Sequence, residues 1–555
     1  MFSTLLIPLL FQALLLPLAT AAPIGGLIIP KINPAKILCQ MPLVEKFLCP
    51  AGGLNGLSRA TVFGTASGVV DADGAYRYPV KYATSSRWAP STLVSAWNLP
   101  NGSNNVSALP LACPQPDVPS TAYTEDCLSM VLYVPQSLTL NSNAPVLVWL
   151  HGGSFVVGSA TATGLDGSKL AQATNSIVAV VQYRLGALGF LAPNGNTNLA
   201  VKDVVNALEF IKRAAPAFGG SASKVTLAGQ SAGATMIRAL LSAPSASSLF
   251  RSTILQSDPM NFGHLRPATH TALLNKFKEL TGCSSQSCQN GLSISSILAA
   301  QKTVYDSAPS LDPAAGNAQP IRPVLDGTFI TTPLDISSTF PSVSKPLLVT
   351  SVSNEATYAI YDIFRDPIPE EYFPDICAAT FGEERTTTVI SSPFYQPSPG
   401  SIVDGEVDAR AQLAILGTDY LWKCSGWTFA RAWVQHGGNA FVGQYVVGAT
   451  YPGNEQVPLC TQSDVICHQD DIQIVFGTVS NPTSAQSALI TEVQQRYKAF
   501  LNNGNPNVAG LPNWAPATTT DVHSIRLGGT GEAPIGACDP TFWGSTVDYD
   551  YQYYN

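Results

Sequence analysis

The stretch Gly229-Gln230-Ser231-Ala232-Gly233 decides the fold of this chain. It follows a short apolar run at 225–228 and leads into a helix-like segment that begins at Ala232. The two glycines allow a strained strand-to-helix turn that pushes the serine Oγ out of a sheet, and a helix N-terminus supplies backbone N–H groups beside it. Ser231 is therefore the first candidate for covalent catalysis, and the rest of the chain must supply its partners.

Predicted strands and helices alternate around this turn. Residues 146–150 and 177–181 are continuous apolar runs of strand length, and residues 201–211 carry apolar side chains at helical spacing. Further strands are predicted at 347–350 and 440–447. This alternation predicts an α/β fold, a mostly parallel central sheet with helices on both faces. The order strand, helix, strand, serine is the order of an α/β-hydrolase core.

The bulk composition is that of a globular chain. Of the 555 residues, 45% are apolar and 12% are charged, which is enough apolar material for a large core. The net charge is −8, and no cluster of lysine and arginine could follow a phosphate backbone. We therefore expect no nucleic-acid partner.

The N-terminus predicts a secreted protein. Residues 1–21 combine a short apolar segment with an Ala-x-Ala cleavage pattern and are expected to be a signal peptide, while a membrane anchor is the alternative that the two prolines disfavour. Residues 22–60 are expected to form an N-terminal extension, and residues 61–555 a single domain without a membrane segment. Sequons at Asn101 and Asn105 lie in a polar loop and fit glycosylation.

The chain has 11 cysteines, which should mostly be paired in an oxidising compartment. Short spacings close small loops at little entropic cost, so they favour pairs between near neighbours. These pairs are Cys113 with Cys127, Cys283 with Cys288, Cys460 with Cys467 and, on the same ground, Cys39 with Cys49. Spacing does not resolve Cys377, Cys424 and Cys538, and the odd count leaves at least one cysteine unpaired.

A serine hydroxyl needs a base, and in this fold the acid and then the histidine follow the serine along the chain. The six histidines are at positions 151, 264, 270, 436, 468 and 523. The first precedes Ser231, and the next two leave little room for an acid. His436 ends a helix-like run, where an imidazole caps the last turn, and His523 lies in a short strand-like segment. His468 remains, beside the predicted Cys460–Cys467 bridge.

The acid is predicted at Glu355. It follows the strand 347–350, and a carboxylate just past the C-terminal end of a sheet strand can reach the imidazole Nδ1 and fix its tautomer. A metal site is the alternative reading of the histidine region, but secretion makes the two thiols disulfide partners. That alternative set is Cys460, Cys467, His468, Asp470 and Asp471. We expect neither a metal nor a cofactor.

Several segments resemble the type-B carboxylesterase/lipase family, the α/β-hydrolases that include cholinesterases and fungal lipases. The resemblance runs from about residue 61 to residue 545. Its motifs, in the family's order, are EDCL at 125–128, WLHGGSF at 149–155, YRLGALGFL at 183–191, the elbow region at 218–233, Asn354-Glu355, and the segment from Cys467-His468 to Gly477.

The resemblance implies roles for particular residues. Ser231, Glu355 and His468 fall on the catalytic triad, and the backbone N–H groups of Gly153, Ser154 and Ala232 fall on the oxyanion hole. It also implies the pairs Cys113–Cys127, Cys283–Cys288 and Cys424–Cys538, which leaves Cys377 unpaired. Three positions depart from the family pattern: Ser154 and Ala356 replace glycine, and Gln230 replaces glutamate. Ser154 keeps its backbone N–H, although its Cβ restricts the loop and is expected to narrow the acyl site.

The implied function is hydrolysis of carboxylic esters through an acyl-enzyme. Short-chain or aromatic esters, including hydroxycinnamoyl (feruloyl) esters of plant cell walls, are the expected substrates. Long-chain lipid or sterol esters are the alternative. An inactive adhesion or binding protein of the same family is the alternative from another class, which the intact Ser231, Glu355 and His468 disfavour, and a serine peptidase is a third.

The loop between Cys113 and Cys127 bears on the choice between esterase and lipase. Lipases of the family carry a mobile lid there, but the 13 residues between these cysteines include three prolines and cannot hold a stable lid helix. We therefore predict an esterase with a permanently open gorge and weak or no activation at lipid surfaces. Hydrolysis rates measured as a triglyceride passes from monomers to an emulsion should rise without a step, and a steep step would contradict the prediction.

Overall fold

The computed structural model describes residues 57–543 except 284, 335–338, 398–401 and 404. The predicted signal peptide, nearly all of the extension and the Cys39–Cys49 pair lie outside the described residues. Aliphatic and β-branched runs form the central strands because such side chains pack well on a pleated surface. The strands are β1 (Ser58–Thr61), β2 (Gly64–Ser67), β3 (Val69–Val70), β4 (Tyr76–Thr84), β5 (Thr92–Asn98), β6 (Ser129–Val134), β7 (Ala144–Leu150), β8 (Ile177–Val181), β9 (Gly220–Gln230), β10 (Ser252–Gln256), β11 (Pro346–Val352), β12 (Ile402–Val403), β13 (Glu406–Val407), β14 (Asn439–Tyr445) and β15 (Ile525–Leu527).

Helices connect these strands and cover both faces of the sheet. They are α1 (Ser168–Thr174), α2 (Gly186–Phe190), α3 (Leu199–Ala214), α4 (Ala232–Leu241), α5 (Pro267–Thr281), α6 (Gln286–Gly291), α7 (Ile294–Leu311), α8 (Thr357–Ile363), α9 (Phe373–Ser391), α10 (Arg410–Gly417), α11 (Cys424–Gln435), α12 (Ile472–Phe476) and α13 (Ser484–Asn503). A π-helical turn, Thr418–Lys423, joins α10 to α11. Among the described residues, no helix combines the length and the apolar character needed to cross a membrane.

Eleven of the described strands form one sheet in the order β15-β14-β11-β10-β9-β7-β8-β6-β4-β3, with β5 paired to β4. The seven strands from β15 to β8 in this order are parallel, and the remaining strands pair antiparallel at the other edge. This confirms the predicted mostly parallel α/β-hydrolase sheet. The predicted strands and helices are present, and several extend beyond the predicted ends, whereas β14 ends at Tyr445, two residues before the predicted end at 447.

The alternation of side chains along β7 divides the core into two halves. Val146, Val148 and Leu150 belong to one buried cluster, whereas Leu147 and Trp149 belong to the other. Helices α3 and α4 pack on the first face, and helices α1 and α13 on the second. Since both faces are covered, the edge at which the parallel strands end is where polar side chains can meet a ligand.

Disulfides tie peripheral segments to this core. The described bonds are Cys113–Cys127, Cys283–Cys288, Cys424–Cys538 and Cys460–Cys467, the pairs expected from spacing or from the family resemblance, and Cys377 is a buried free thiol. The bond between Cys424 and Cys538 spans 114 residues and fastens the C-terminal segment to α11. No helix occurs between Cys113 and Cys127.

Candidate active site

The turn after β9 holds Ser231 in a conformation that few residues adopt. Its backbone has φ 56° and ψ −124°, and its N–H donates to the Gln256 carbonyl at 2.9 Å. A Cβ added at Gly233 would lie 2.1 Å from the Leu150 carbonyl oxygen. The turn therefore packs directly against the end of β7, and only glycine permits this contact. The prediction of a strained turn that presents the serine agrees with this geometry.

The loop after β7 brings unused backbone donors beside this turn. Gly153 has φ 113° and Ser154 has φ 50°, and a Cβ at Gly152 would lie 2.7 Å from Gln230 Oε1. Within the described residues, the N–H groups of Gly153, Ser154 and Ala232 donate no hydrogen bond. Free amides next to a nucleophile can stabilise a developing oxyanion.

The serine in place of the usual glycine is accommodated by a side-chain contact. The left-handed φ of Ser154 costs about 1 kcal/mol or more for a residue with a Cβ. Its side chain lies near the Tyr305 hydroxyl on α7. The sequence predicted that the Ser154 Cβ would narrow the acyl site, but it did not predict that this side chain lies near α7.

His468 and Glu355 form the closest pair of titratable groups in the site. His468 Nδ1 lies 2.6 Å from Glu355 Oε2, and the carboxylate is 1% exposed. The N–H of Val352 donates to the other carboxylate oxygen at 2.8 Å. The carboxylate thus holds the imidazole in the tautomer with the proton on Nδ1, which leaves Nε2 as an acceptor.

Backbone bonds hold the loops that carry these two residues together. The N–H of Asn354 donates to the Ile466 carbonyl at 3.0 Å, and the N–H of Ile466 donates to Asn354 Oδ1 at 3.1 Å. The Cys460–Cys467 disulfide closes the histidine loop one residue before His468. Glu355 and His468 are therefore fixed relative to each other although 113 residues separate them in sequence.

Gln230 contacts the reactive nitrogen of His468, which sequence reasoning missed. Its Nε2 lies 3.1 Å from His468 Nε2, whereas the Ser231 hydroxyl makes no hydrogen bond to this nitrogen within the described residues. Hydrogen bonds in a free active site often form only when substrate binds. The only sequence signal was the replacement of the family's glutamate at this position. The Trp422 ring, 5.4 Å from the imidazole, covers another side of His468.

The other histidines lie in contacts outside the Glu355–His468 pair. His151 stacks on Tyr183, and burial lowers its pKa to about 4. His436 lies at the end of α11 with its Nδ1 2.8 Å from the Ala432 carbonyl oxygen, as predicted for a helix cap. His523 precedes strand β15, where a strand-like segment was expected. His264 and His270 lie close to Ser242 Oγ and to the Phe190 carbonyl oxygen, respectively.

Two further carboxyl groups lie behind the histidine loop. Asp470 accepts from the N–H groups of Cys467 and Tyr451, each at 2.8 Å, and so shapes the loop. Asp471 is fully buried and accepts from the Gln256 amide. Burial raises the pKa of each to about 7, and the negative charge of Glu355 contributes to the shift at Asp471. Because Cys460 and Cys467 are joined in a disulfide, their thiols are not free to bind a metal.

An apolar cavity of about 620 Å³ is lined in part by two residues that adjoin the Glu355–His468 pair, while neither Ser231 nor His468 is in its wall. Trp422, which contacts His468, and Ala356, which follows Glu355, are both in its wall. Most of the lining is aliphatic or aromatic, and Ile363, 69% exposed, stands at the solvent side. The volume is within the range of small-molecule sites, about 300–1,000 Å³.

The serine turn follows a central parallel strand, and the Glu355 loop and the His468 loop come later in the sequence and meet at the same edge of the sheet. This arrangement defines the protein as an α/β-hydrolase. The model of the carboxylesterase family matches residues 61–534, so the chain belongs to this family and is a carboxylic ester hydrolase.

Individual relatives agree with this assignment. The chain is 27% identical over 485 residues to the cAMP-regulated D2 protein of Dictyostelium discoideum, which covers 84% of this chain and 88% of that protein. It is 26% identical over 474 residues to the pyrethroid hydrolase Ces2a of Mus musculus, with 80% of each covered. The solved structure of a PNB esterase superposes with a TM-score of 0.68 at 23% identity, covering 85% of this chain and 96% of the other. The similarity to the PNB esterase structure shows a shared fold.

The buried carboxyl group of Asp471 predicts a pH-dependent stability. An unfolded aspartate titrates near pH 4, so between about pH 4 and 7 the folded chain keeps a proton that the unfolded chain loses, and stability falls as pH rises. From pH 5 to 7 the wild type should lose about 2 kcal/mol more unfolding free energy than Asp471→Asn, measured by urea denaturation. Asp464→Asn, at an exposed aspartate of the same loop, should keep the wild-type slope. Parallel curves for wild type and Asp471→Asn would refute the prediction.

Proposed function

We propose that the chain hydrolyses carboxylic esters through an acyl-enzyme on Ser231, with His468 as the base and Glu355 as the acid that orients it. The observation that carries the proposal is the 2.6 Å contact between His468 Nδ1 and Glu355 Oε2 at the edge of the sheet that also holds the serine turn. A carboxylate in this position stabilises the imidazolium that forms when the serine loses its proton.

The proposed reaction has two acyl-transfer steps. His468 Nε2 takes the Ser231 proton, the serine oxygen attacks the ester carbonyl, and the N–H groups of Gly153, Ser154 and Ala232 bind the oxyanion. The alcohol leaves with the proton from the imidazole. Water then attacks the acyl-enzyme in the same way and releases the acid. For the first step, Nε2 exchanges the Gln230 amide, now 3.1 Å away, for the serine hydroxyl.

Removal of the nucleophile tests the mechanism. Ser231→Ala should lower kcat for a short p-nitrophenyl ester by about 10⁴-fold or more, as in other broken triads, with an unchanged unfolding midpoint. Ser487→Ala, on the exposed face of α13, is the matched control and should retain wild-type turnover.

A fluorophosphonate probe should label the wild-type chain on Ser231, as peptide mapping can establish. An inactive binding protein would neither turn over the ester nor be labelled. Near-normal turnover of the p-nitrophenyl ester by Ser231→Ala would refute the proposal.

The apolar cavity supports acyl groups larger than acetate as substrates. Its wall combines aromatic side chains such as Phe381 and Trp422 with aliphatic ones such as Ile360, Leu413 and Leu416. Both an aromatic acyl group, including a hydroxycinnamoyl group, and an aliphatic chain of several methylenes are compatible with this volume and lining. We propose that the acyl group enters here, because the wall reaches His468 through Trp422.

A series of p-nitrophenyl esters from acetate to octanoate measures this preference. Each buried methylene contributes about 0.8 kcal/mol, so kcat/KM should rise about fourfold per methylene until the cavity is full. Ala359→Phe adds bulk to the cavity wall and should abolish the rise while sparing the acetate. Ala488→Phe, at an exposed position of α13, should leave the series unchanged. A series that falls from acetate onward, with methyl ferulate also unreactive, would exclude the cavity as the acyl site.

We propose that the chain is secreted and glycosylated. Disulfides in the described part of the chain fit an oxidising compartment, and Asn101 and Asn105 are exposed. Asn105 is the better glycosylation acceptor, since its Nδ2 makes no hydrogen bond to any described residue, while Asn101 Nδ2 donates to the Leu109 carbonyl. Protein from culture medium should begin near residue 22 and lose mass on N-deglycosylation. An intact N-terminus on a cell-bound product would contradict secretion.

A further inference from the structure

A second cavity, of about 380 Å³, lies on the other side of the helical segment that borders the apolar cavity. Along this segment, Ala414 and Thr418 line the second cavity, whereas Leu413 and Gly417 line the apolar one. Ser231, Glu355 and His468 do not belong to the wall of the second cavity. Ile415, 47% exposed, also lines it and marks the side that faces solvent.

Polar side chains with unused hydrogen-bonding capacity face this second cavity. Gln444, at the end of β14, is 8% exposed, and its amide makes no hydrogen bond within the described residues. The Tyr361 hydroxyl, from α8, likewise has no partner among them. The Lys423 ammonium donates one long hydrogen bond, to the Pro534 carbonyl oxygen at 3.4 Å, and lies 3.7 Å from Asp419 Oδ1 and 5.2 Å from the centre of the Trp427 ring. The Gln444 amide and the Tyr361 hydroxyl are not among the buried polar atoms, so solvent reaches them and a polar ligand can replace that solvent.

The chemistry of the wall selects the kind of ligand. Lys423 and Asp419 carry opposite charges and lie next to each other, so each charge is balanced by the other. The cavity therefore favours neither an anionic nor a cationic ligand. Amide and hydroxyl groups offer donors and acceptors in equal measure. The methyl and aliphatic groups of Ala411, Ala414 and Leu459 supply an apolar patch. A sugar ring or a cyclic polyol has hydroxyl groups at its edge and C–H groups on its face. These features match the polar groups and the apolar patch of the cavity wall.

We propose that this polar cavity is a binding site for a neutral polyhydroxylated ligand, a monosaccharide or a polyol, separate from the site of ester hydrolysis. Gln444 and Tyr361 form hydrogen bonds with the hydroxyl groups of the ligand. Lys423 donates to one ligand hydroxyl, and Asp419 accepts from another.

The site also shares its walls with the loop of the proposed catalytic acid. Asn354 lines the cavity and precedes Glu355, and the Thr418 hydroxyl accepts from the N–H of Ala356 at 3.0 Å. An occupant therefore contacts the residues that hold this loop, while the acyl cavity stays free.

Titration of the full chain with D-glucose, followed by ligand-detected NMR, tests the proposal. Cyclohexanol is the control compound, because it has a six-membered ring but only one hydroxyl group. The titration is done at pH 8 because burial raises the pKa of Asp419. Glucose should bind saturably with a Kd on the order of millimolar, as expected for a ligand of this size, and cyclohexanol should bind more weakly. No saturation, or equal binding of cyclohexanol, overturns the proposal.

Variants then locate the bound sugar. Gln444→Met and Tyr361→Phe each remove one hydrogen-bonding group at nearly constant shape and should weaken binding about three- to tenfold. Gln495→Met, at an exposed position of α13, is the matched control and should bind as the wild type does. Ser231→Ala should also bind glucose normally, which separates this proposal from the one on ester hydrolysis. Unchanged affinity in both cavity variants, or competition between glucose and an ester substrate, overturns it.

Discussion

The close approach of the Ser231 turn to the end of β7 is the constraint on which the site depends. The position of a Cβ at Gly233, 2.1 Å from the Leu150 carbonyl oxygen, shows that helix α4 begins in contact with the neighbouring strand. This contact sets the start of the helix, and with it the Ala232 amide, beside the loop that contains Gly153 and Ser154. Parallel pairing of β7 with β9 from Val146 to Leu150 holds the two segments in register. A one-residue shift of either strand would turn the serine away from the free amides.

A second constraint is electrostatic and lies behind the imidazole. Glu355 and Asp471 are both buried close to His468, and two ionised carboxylates in such a place repel each other. Burial and the negative charge of Glu355 raise the pKa of Asp471 to about 7, whereas Glu355 is the carboxylate in contact with the imidazole. The neutral Gln230, where glutamate is common in the family, keeps a further negative charge away from Nε2.

The helical segment from Arg410 to Lys423 organises the space around the site. One side of it borders the apolar cavity, the other borders the polar cavity, and its π-helical turn places Trp422 against His468. π-Helical turns are rare and occur frequently at functional sites, since the extra residue redirects a side chain. The Cys424–Cys538 bond follows this turn directly and anchors it. This single helical segment thus separates the apolar cavity from the polar cavity.

The sequence by itself determined the α/β sheet, the serine turn and the order of the candidate site residues. Local rules carry that information: apolar runs form the strands, helical spacing marks the helices, and glycines flank the serine. Near neighbours such as Cys460 and Cys467 could also be paired from spacing. The contact between Gln230 and His468, the proximity of Ser154 to Tyr305 and the two cavities could not be predicted. They join residues from distant parts of the chain, and only the packed sheet and its connecting loops bring these side chains within contact distance. Tertiary structure decided them because such contacts depend on crossing angles and loop paths that no local pattern encodes.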